Sequence, residues 1–148
     1  MFRDQIEIYV PYRRNPFFTG RSDALKVIHQ KLVLEGPSII TSSYVIYGLG
    51  GVGETQIAIE YSYQHRDDFD IVHWLRADGY ETLLGSYFQI YQDASFRALT
   101  GLNLGDETNL ETISTRVKLW FESCQCIKWL LVIDNADKLE SGISLNFL

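Results

Sequence analysis

The stretch that decides the fold is Gly48-Leu49-Gly50-Gly51-Val52-Gly53-Glu54-Thr55. It follows a short run of β-branched and aromatic residues, 44–47, which is typical of a buried strand. Apolar residues at helical spacing follow it and predict a helix from about residue 54 to 65. A glycine-rich turn between a strand and a helix matches the pattern G-x-x-x-x-G-K-[ST] here at every fixed position except the lysine.

The chemistry of phosphate binding explains this spacing. A loop that surrounds phosphates turns its backbone N–H groups inward, and glycine tolerates the required dihedral angles best. The helix that follows presents free N–H groups and a partial positive charge to the anion. Thr55 places a hydroxyl where a Mg²⁺ ion bridging the phosphates would lie. The alternative is a glycine-rich turn without a ligand, but the flanking strand and helix and a second motif downstream favour phosphate binding.

Glu54 occupies the position of the lysine. Two unit charges about 4 Å apart interact by about 1 kcal/mol in water and about 4 kcal/mol at an effective dielectric of about 20, and exchanging lysine for glutamate changes the sign. Because about 1.4 kcal/mol is tenfold in affinity, we expect affinity losses of roughly tenfold to several thousandfold if the carboxylate stays in place. If the carboxylate turns into solvent, backbone N–H groups and Mg²⁺ are left to hold the diphosphate. Hydrolysis should suffer more than binding, because the group that stabilises charge on the transferring phosphoryl is missing.

A second motif lies at residues 130–134, where four apolar residues precede Asp134. An aspartate at the carboxyl end of a parallel strand lies at the edge of the sheet where ligands collect. We therefore expect Asp134 to hold Mg²⁺ together with Thr55. Asp137 either orients an attacking water or lies in a surface turn, and the sequence leaves both interpretations open.

Strands and helices alternate along the chain, which predicts an α/β fold with a mostly parallel sheet flanked by helices. The predicted elements besides those around the glycine-rich loop are a helix from Ser22 as N-cap to about Val33, a strand at 71–75, a helix at about 81–99, a helix opened by a capping box of Thr108 and Glu111, and a strand at 129–134. We expect residues 1–21 to be an extended lead-in, 22–140 to form the domain and 141–148 to be an atypical tail.

Composition narrows the choice of partners and location. The chain has 148 residues and a net charge of −6, with a pI near 5.0. Its densest basic cluster, Arg13, Arg14 and Arg21, is thin, which argues against nucleic acid as a partner. No stretch approaches the roughly 20 apolar residues of a membrane helix, and the start lacks a secretory pattern. With only two cysteines, a cytoplasmic protein without a membrane partner is expected.

Four segments together resemble NB-ARC domains, which are P-loop NTPases of the STAND class. They are residues 18–21 (Phe-Thr-Gly-Arg), 48–56, 69–78 and 129–137. The resemblance extends from about residue 15 to 140 and is greatest to the fungal branch, in which the domain often precedes TPR repeats.

This resemblance implies an adenine-nucleotide switch that is closed with ADP and oligomerises with other copies of its family when ATP is bound. It places Phe18, Gly20 and Arg21 against the adenine and ribose. The residues that it places around the phosphates are Gly48, Leu49, Gly50, Gly51, Val52, Gly53, Glu54, Thr55 and Gln56. It implies Mg²⁺ at Thr55 and Asp134. The catalytic candidates are Asp134 and, where it orients the attacking water, Asp137.

Two departures from the family shape the expectation. One is Glu54, and the other is that family members continue past the strand that corresponds to residues 129–134, called the Walker B strand, into a sensor strand, a helical subdomain and a winged helix. We therefore expect a copy truncated after that strand, which binds ADP or ATP with impaired hydrolysis. The alternative is a non-catalytic interaction fragment that binds no nucleotide. A small-molecule kinase is disfavoured because no basic lid segment is found.

Overall fold

The computed structural model describes residues 7–34, 53–124 and 127–136, and it divides into two compact units. We call residues 12–65 the helical unit, and residues 1–11 with 66–148 the sheet unit. The predicted strand at 44–47, most of the glycine-rich loop (48–52) and Asp137 lie outside the described residues.

The helical unit contains α1 (Ser22–His29), a short π-helical turn (Gln30–Leu34) and α2 (Glu54–Gln64). The N-cap of α1 is Arg21, whose carbonyl accepts a hydrogen bond from the Leu25 amide at 3.2 Å. The prediction of Ser22 as N-cap is therefore wrong by one residue, because Ser22 is already helical and a capping side chain needs non-helical backbone.

The second helix of this unit confirms the prediction made from the sequence. It begins at Glu54 directly after the glycine-rich loop and ends one residue before the predicted boundary. Its buried residues cover a wide face and are Ile57, Ile59, Glu60, Tyr61 and Ser62. A charged residue on a buried face needs a partner, and Glu60 has one, as described below.

In the described residues of the sheet unit, three parallel strands form a sheet in the order β1 (Glu7–Tyr9), β2 (Ile71–Arg76) and β3 (Trp129–Asp134). The first five residues of β2 are all buried, as expected of a central strand covered on both faces. The lead-in, which was predicted to be extended, contributes β1, a short strand at one edge of the sheet in the described residues. With five helices in the described residues, the chain is α/β and compatible with a P-loop-like fold.

The predicted helix at about 81–99 is wrong as a single element. It is divided into α3 (Tyr80–Gln92) and α4 (Ala94–Thr100) by Asp93, whose backbone is extended. The Asp93 carboxylate accepts a hydrogen bond from the Ser95 amide at 2.8 Å and so caps α4. Aspartate favours this role because its short side chain bonds nearby amides better outside a helix than within one.

The last helix, α5 (Leu110–Ser123), is also capped one residue away from the prediction. Asn109 accepts a hydrogen bond from the Thr112 amide at 2.9 Å. In the turn before the helix, the Glu107 carboxylate accepts hydrogen bonds from the amides of Thr108 and Asn109. Thr108 therefore does not form the predicted capping box with Glu111. None of the helices in the described ranges has the length and apolarity required to cross a membrane.

Apolar side chains from β2, α3, α4 and α5 form the core of the sheet unit. Its aromatic centre is Phe96, which is fully buried, with ring centroids 5.4 Å from Trp120 and 5.7 Å from Phe121. Phe121 in turn contacts Trp129 of β3 at 5.2 Å. These contacts anchor the strand that ends in Asp134.

Candidate functional site

The last glycine of the glycine-rich loop, Gly53, has the backbone geometry that the loop requires. Its φ angle of +101° lies in the left-handed region, which favours glycine over any residue with a side chain. Gly53 is the N-cap of α2, and its carbonyl accepts a hydrogen bond from the Ile57 amide at 2.9 Å. The helix therefore begins at the point where the sequence predicts a phosphate-binding turn to end.

The guanidinium of Arg21 lies directly against Gly53. A Cβ atom added to Gly53 would be 3.2 Å from Nη2 and 3.6 Å from Cζ of Arg21. Both residues belong to the helical unit, and Arg21 is exposed to solvent. Of the predicted site residues, the structure thus brings these two together. A side chain at position 53 would need the guanidinium to shift by only a few tenths of an ångström, so the positive φ angle is the stronger reason for glycine there.

Glu54, Thr55 and Gln56 form the first turn of α2. Glu54 and Thr55 are half-buried, whereas Gln56 is exposed. A carboxylate in the first turn interacts favourably with the helix dipole, by about 0.3–1 kcal/mol. Glu54 therefore has a structural role that needs no ligand. The same carboxylate opposes the binding of any anion at this helix end.

The segment predicted to lie against adenine forms a turn before α1. The Phe17 amide donates to the Asn15 side chain at 3.0 Å, and the Phe18 amide donates to the Asn15 carbonyl at 3.2 Å. Phe18 is half-buried, and Gly20 has a φ angle of +81°, which again favours glycine. Phe18 is three residues from Arg21 along the chain. The contact of Phe18 with adenine stays a prediction.

An ion pair attaches this lead-in to α2. The Arg14 guanidinium donates two hydrogen bonds to Glu60, at 2.7 and 3.1 Å, and the Glu60 side chain is only 6% exposed. The hydrogen bonds from Arg14 lower the pKa of Glu60, and the same contact raises the pKa of Arg14. Sequence reasoning missed this pair, because residues so far apart along the chain leave no local pattern that links them.

The predicted metal ligand of the sheet unit, Asp134, is the last residue of β3 and is half-buried. Its carbonyl accepts a hydrogen bond from the Ala77 amide at 2.8 Å, and Asn135 then turns the chain with a φ angle of +62°. The position at the carboxyl end of a parallel strand agrees with the sequence prediction. Thr55 lies in the helical unit and Asp134 in the sheet unit, and their joint role at Mg²⁺ stays a prediction.

Taken together, a parallel strand ending in aspartate and a helix opened by a left-handed glycine are compatible with the P-loop-like class of α/β proteins. Among known proteins, the chain is 28% identical over 91% of its length to a nucleotide-binding leucine-rich repeat (NLR)-like protein of Hyaloscypha variabilis. It is 29% identical over 82% of its length to the regulatory protein AfsR of Streptomyces griseus.

The chain spans 13% and 12% of the length of these two relatives. No family model matches the chain, and no solved structure matches it. At this distance the relatives suggest a family of nucleotide-binding signalling proteins, and they hint at the NB-ARC and NLR families.

Proposed function

We propose that the chain is an adenine-nucleotide-binding module of an NB-ARC-type signalling switch, which holds ADP or ATP and hydrolyses ATP slowly or not at all. The observation that carries the proposal is the left-handed Gly53, which opens α2 directly after the glycine-rich sequence 48–52. The similarity to a protein named as nucleotide-binding supports it.

Each part of the nucleotide has a proposed partner in the chain. Backbone amides of residues 48–53 bind the diphosphate, and the segment with Phe18 and Gly20 lies against the adenine. The Thr55 hydroxyl and the Asp134 carboxylate offer the oxygen ligands that Mg²⁺ prefers. When Mg²⁺ is bound, it neutralises phosphate charge, and Asp137 is the proposed orienting group for water. The ATP-bound form would contact other copies of its domain family.

Glu54 limits both binding and hydrolysis in this proposal. Its carboxylate lies in the first turn of α2, where a bound diphosphate would meet it. Repulsion weakens the ground-state complex, and the lack of a lysine removes the charge that would stabilise the transferring phosphoryl. We therefore expect nucleotide binding with little turnover.

Titration calorimetry of the whole chain with ADP and ATP, with and without Mg²⁺, tests the proposal. We expect micromolar affinity for the native chain and at least tenfold tighter binding for Glu54→Lys. Glu81→Lys is a matched control, because Glu81 is an exposed acid in the first turn of α3 and its replacement changes the net charge equally. Phosphate release from ATP should rise in the Glu54→Lys variant and stay unchanged in Glu81→Lys.

The second candidate is an interaction fragment without a nucleotide, and the observation that favours it is the position of Glu54, a half-buried acidic residue in the first turn of α2. In that case the acid stabilises the end of α2 and no ligand competes with it. The absence of binding heat at millimolar ADP in both the native chain and Glu54→Lys would support this candidate and overturn the first.

A further inference from the structure

We propose that Arg21 supplies the positive charge at the phosphate end of the site, in place of the lysine that Glu54 replaces. The inference rests on the proposed nucleotide binding. It assigns the recognition of the phosphates by a side chain to Arg21. It also moves Arg21 from the adenine and ribose side, where the sequence resemblance places it, to the opposite end of the nucleotide.

The position of the guanidinium carries the inference. Gly53 is the last residue of the predicted phosphate loop, and the three nearest atoms to an added Cβ there all belong to the Arg21 guanidinium, at 3.2, 3.6 and 3.8 Å. An arginine that contacts only adenine or ribose does not need to lie against the residue that opens α2. An arginine that binds phosphate does need that position, because its guanidinium and the helix amides then contact the same anion.

The electrostatics of Arg21 agree with this role. Among the described residues, the ion pairs of arginine are Arg14 with Glu60, Arg66 with Asp67 and Arg76 with Asp78, so Arg21 has no carboxylate partner in that part of the chain. Glu54 forms no ion pair with Arg21 in the described residues, although it directly follows Gly53. An exposed guanidinium beside Gly53 is available to an incoming anion.

The chemistry of the group suits the ligand. A guanidinium presents parallel N–H donors in a fixed plane that match two phosphate oxygens, which a single lysine ammonium cannot do. The cation beside Gly53 therefore comes from the lead-in. In the usual pattern it is a lysine at the position of Glu54, in the first turn of α2. This arrangement predicts that Arg21 increases the affinity of the chain for ligands that carry phosphates and leaves the affinity for adenosine unchanged.

Affinities of Arg21→Ala for ADP, AMP and adenosine, measured by calorimetry on the whole chain, test the inference. We expect ADP affinity to fall at least tenfold and adenosine affinity to stay within about twofold, because adenosine has no phosphate. Arg21→Lys should recover part of the ADP affinity. Arg13→Ala is the matched control, since it removes an exposed arginine of the same lead-in, and it should leave all three affinities unchanged.

The remaining outcomes separate the two proposals. Equal losses for ADP and adenosine would place Arg21 at the adenine and ribose and overturn the inference, as would an unchanged ADP affinity. In the Glu54→Lys background, Arg21→Ala should cost less ADP affinity than in the native chain, because the new lysine takes over the charge.

If neither the native chain nor Glu54→Lys binds ADP, the proposed function fails and this inference fails with it. Thermal unfolding followed by circular dichroism must give matching Tm values for the Arg21 variants. If Arg21→Ala is destabilised, Arg21→Lys decides alone: a loss of ADP affinity that spares adenosine supports the inference, and an equal loss of both overturns it.

Discussion

The contacts found within the sheet unit differ in kind from those found within the helical unit. In the sheet unit, buried apolar and aromatic residues of β2, α3, α4 and α5 pack around Phe96. In the helical unit, polar contacts link the lead-in to α2, among them the ion pair of Arg14 with Glu60 and the hydrogen bond from the Tyr63 hydroxyl to the Tyr12 carbonyl at 2.6 Å. The aromatic packing around Phe96 therefore belongs to the sheet unit, whereas the helical unit adds a partly buried ion pair to the apolar side chains that α1 and α2 bury.

The chain offers a direct way to observe one unit without the other. All three tryptophans, Trp74, Trp120 and Trp129, belong to the sheet unit. Tryptophan fluorescence therefore reports the unfolding of the sheet unit, whereas far-ultraviolet circular dichroism reports the helices of both units. Agreement or disagreement between the two signals measures how far the units unfold together.

The largest effect on stability is expected from Phe96→Ala. This ring is fully buried among Trp120 and Phe121, so its removal leaves a cavity and should lower the free energy of unfolding by about 3–5 kcal/mol. Urea denaturation followed by tryptophan fluorescence measures it. Leu119→Ala, on an α5 side chain that is 51% exposed, should change stability by no more than about 0.5 kcal/mol. Equal effects of the two substitutions would contradict the apolar core as the main source of stability.

The fold elements that could be predicted from the sequence are those with a strong local signal. β2 and β3 are short apolar runs, and α2 follows a glycine-rich turn. The sequence of each element therefore predicts its structure without knowledge of the residues that pack against it. The break at Asp93 and the caps at Arg21 and Asn109 could not be placed, because each depends on which of several neighbouring residues takes the non-helical dihedral angles. A difference of one residue is small in sequence terms and decides which side chain caps the helix.

The candidate site shows the same division. The motif placed Gly53, Glu54 and Thr55 at the start of α2, because loop and helix are continuous in sequence. The position of Arg21 against Gly53 depends on how the lead-in folds back within the helical unit, and no spacing rule contains that information. Sequence reasoning therefore predicted the glycine that opens α2 but not the guanidinium that lies against it.

A smaller effect is expected from the ion pair of the helical unit. Arg14→Gln leaves the Glu60 carboxylate buried with weaker hydrogen bonds. The cost should be about 1–2 kcal/mol, which is below the value for fully buried pairs because the Arg14 side chain is half-exposed. Circular dichroism should register the change, and tryptophan fluorescence should register less of it. Arg13→Gln, which alters an exposed neighbour, is the control.

The same pair gives a pH dependence with a defined sign. Hydrogen bonds from Arg14 lower the pKa of Glu60 in the folded chain. The contribution of the ion pair to stability is therefore fully present above the glutamate pKa of the unfolded chain, about 4.3. It is lost as the pH falls through the lowered pKa of the folded state. Unfolding measured between neutral and acidic pH should show this loss in the native chain and a smaller one in Glu60→Gln. A steeper acid dependence in Glu60→Gln would contradict the assignment.

The smallest effect is expected from a polar contact inside the sheet unit, at the start of α5. Asn109→Ala removes the side chain that accepts from the Thr112 amide, and the loss of such a cap costs about 1 kcal/mol. Thr108→Ala should be nearly neutral, because Glu107 already accepts from the Thr108 amide and Asn109 serves as the cap. Urea denaturation by tryptophan fluorescence compares the two. A larger loss for Thr108→Ala would restore the capping box predicted from the sequence. A loss for Asn109→Ala that equals that of Phe96→Ala would mean that the sheet unit depends on this polar cap as much as on its aromatic core.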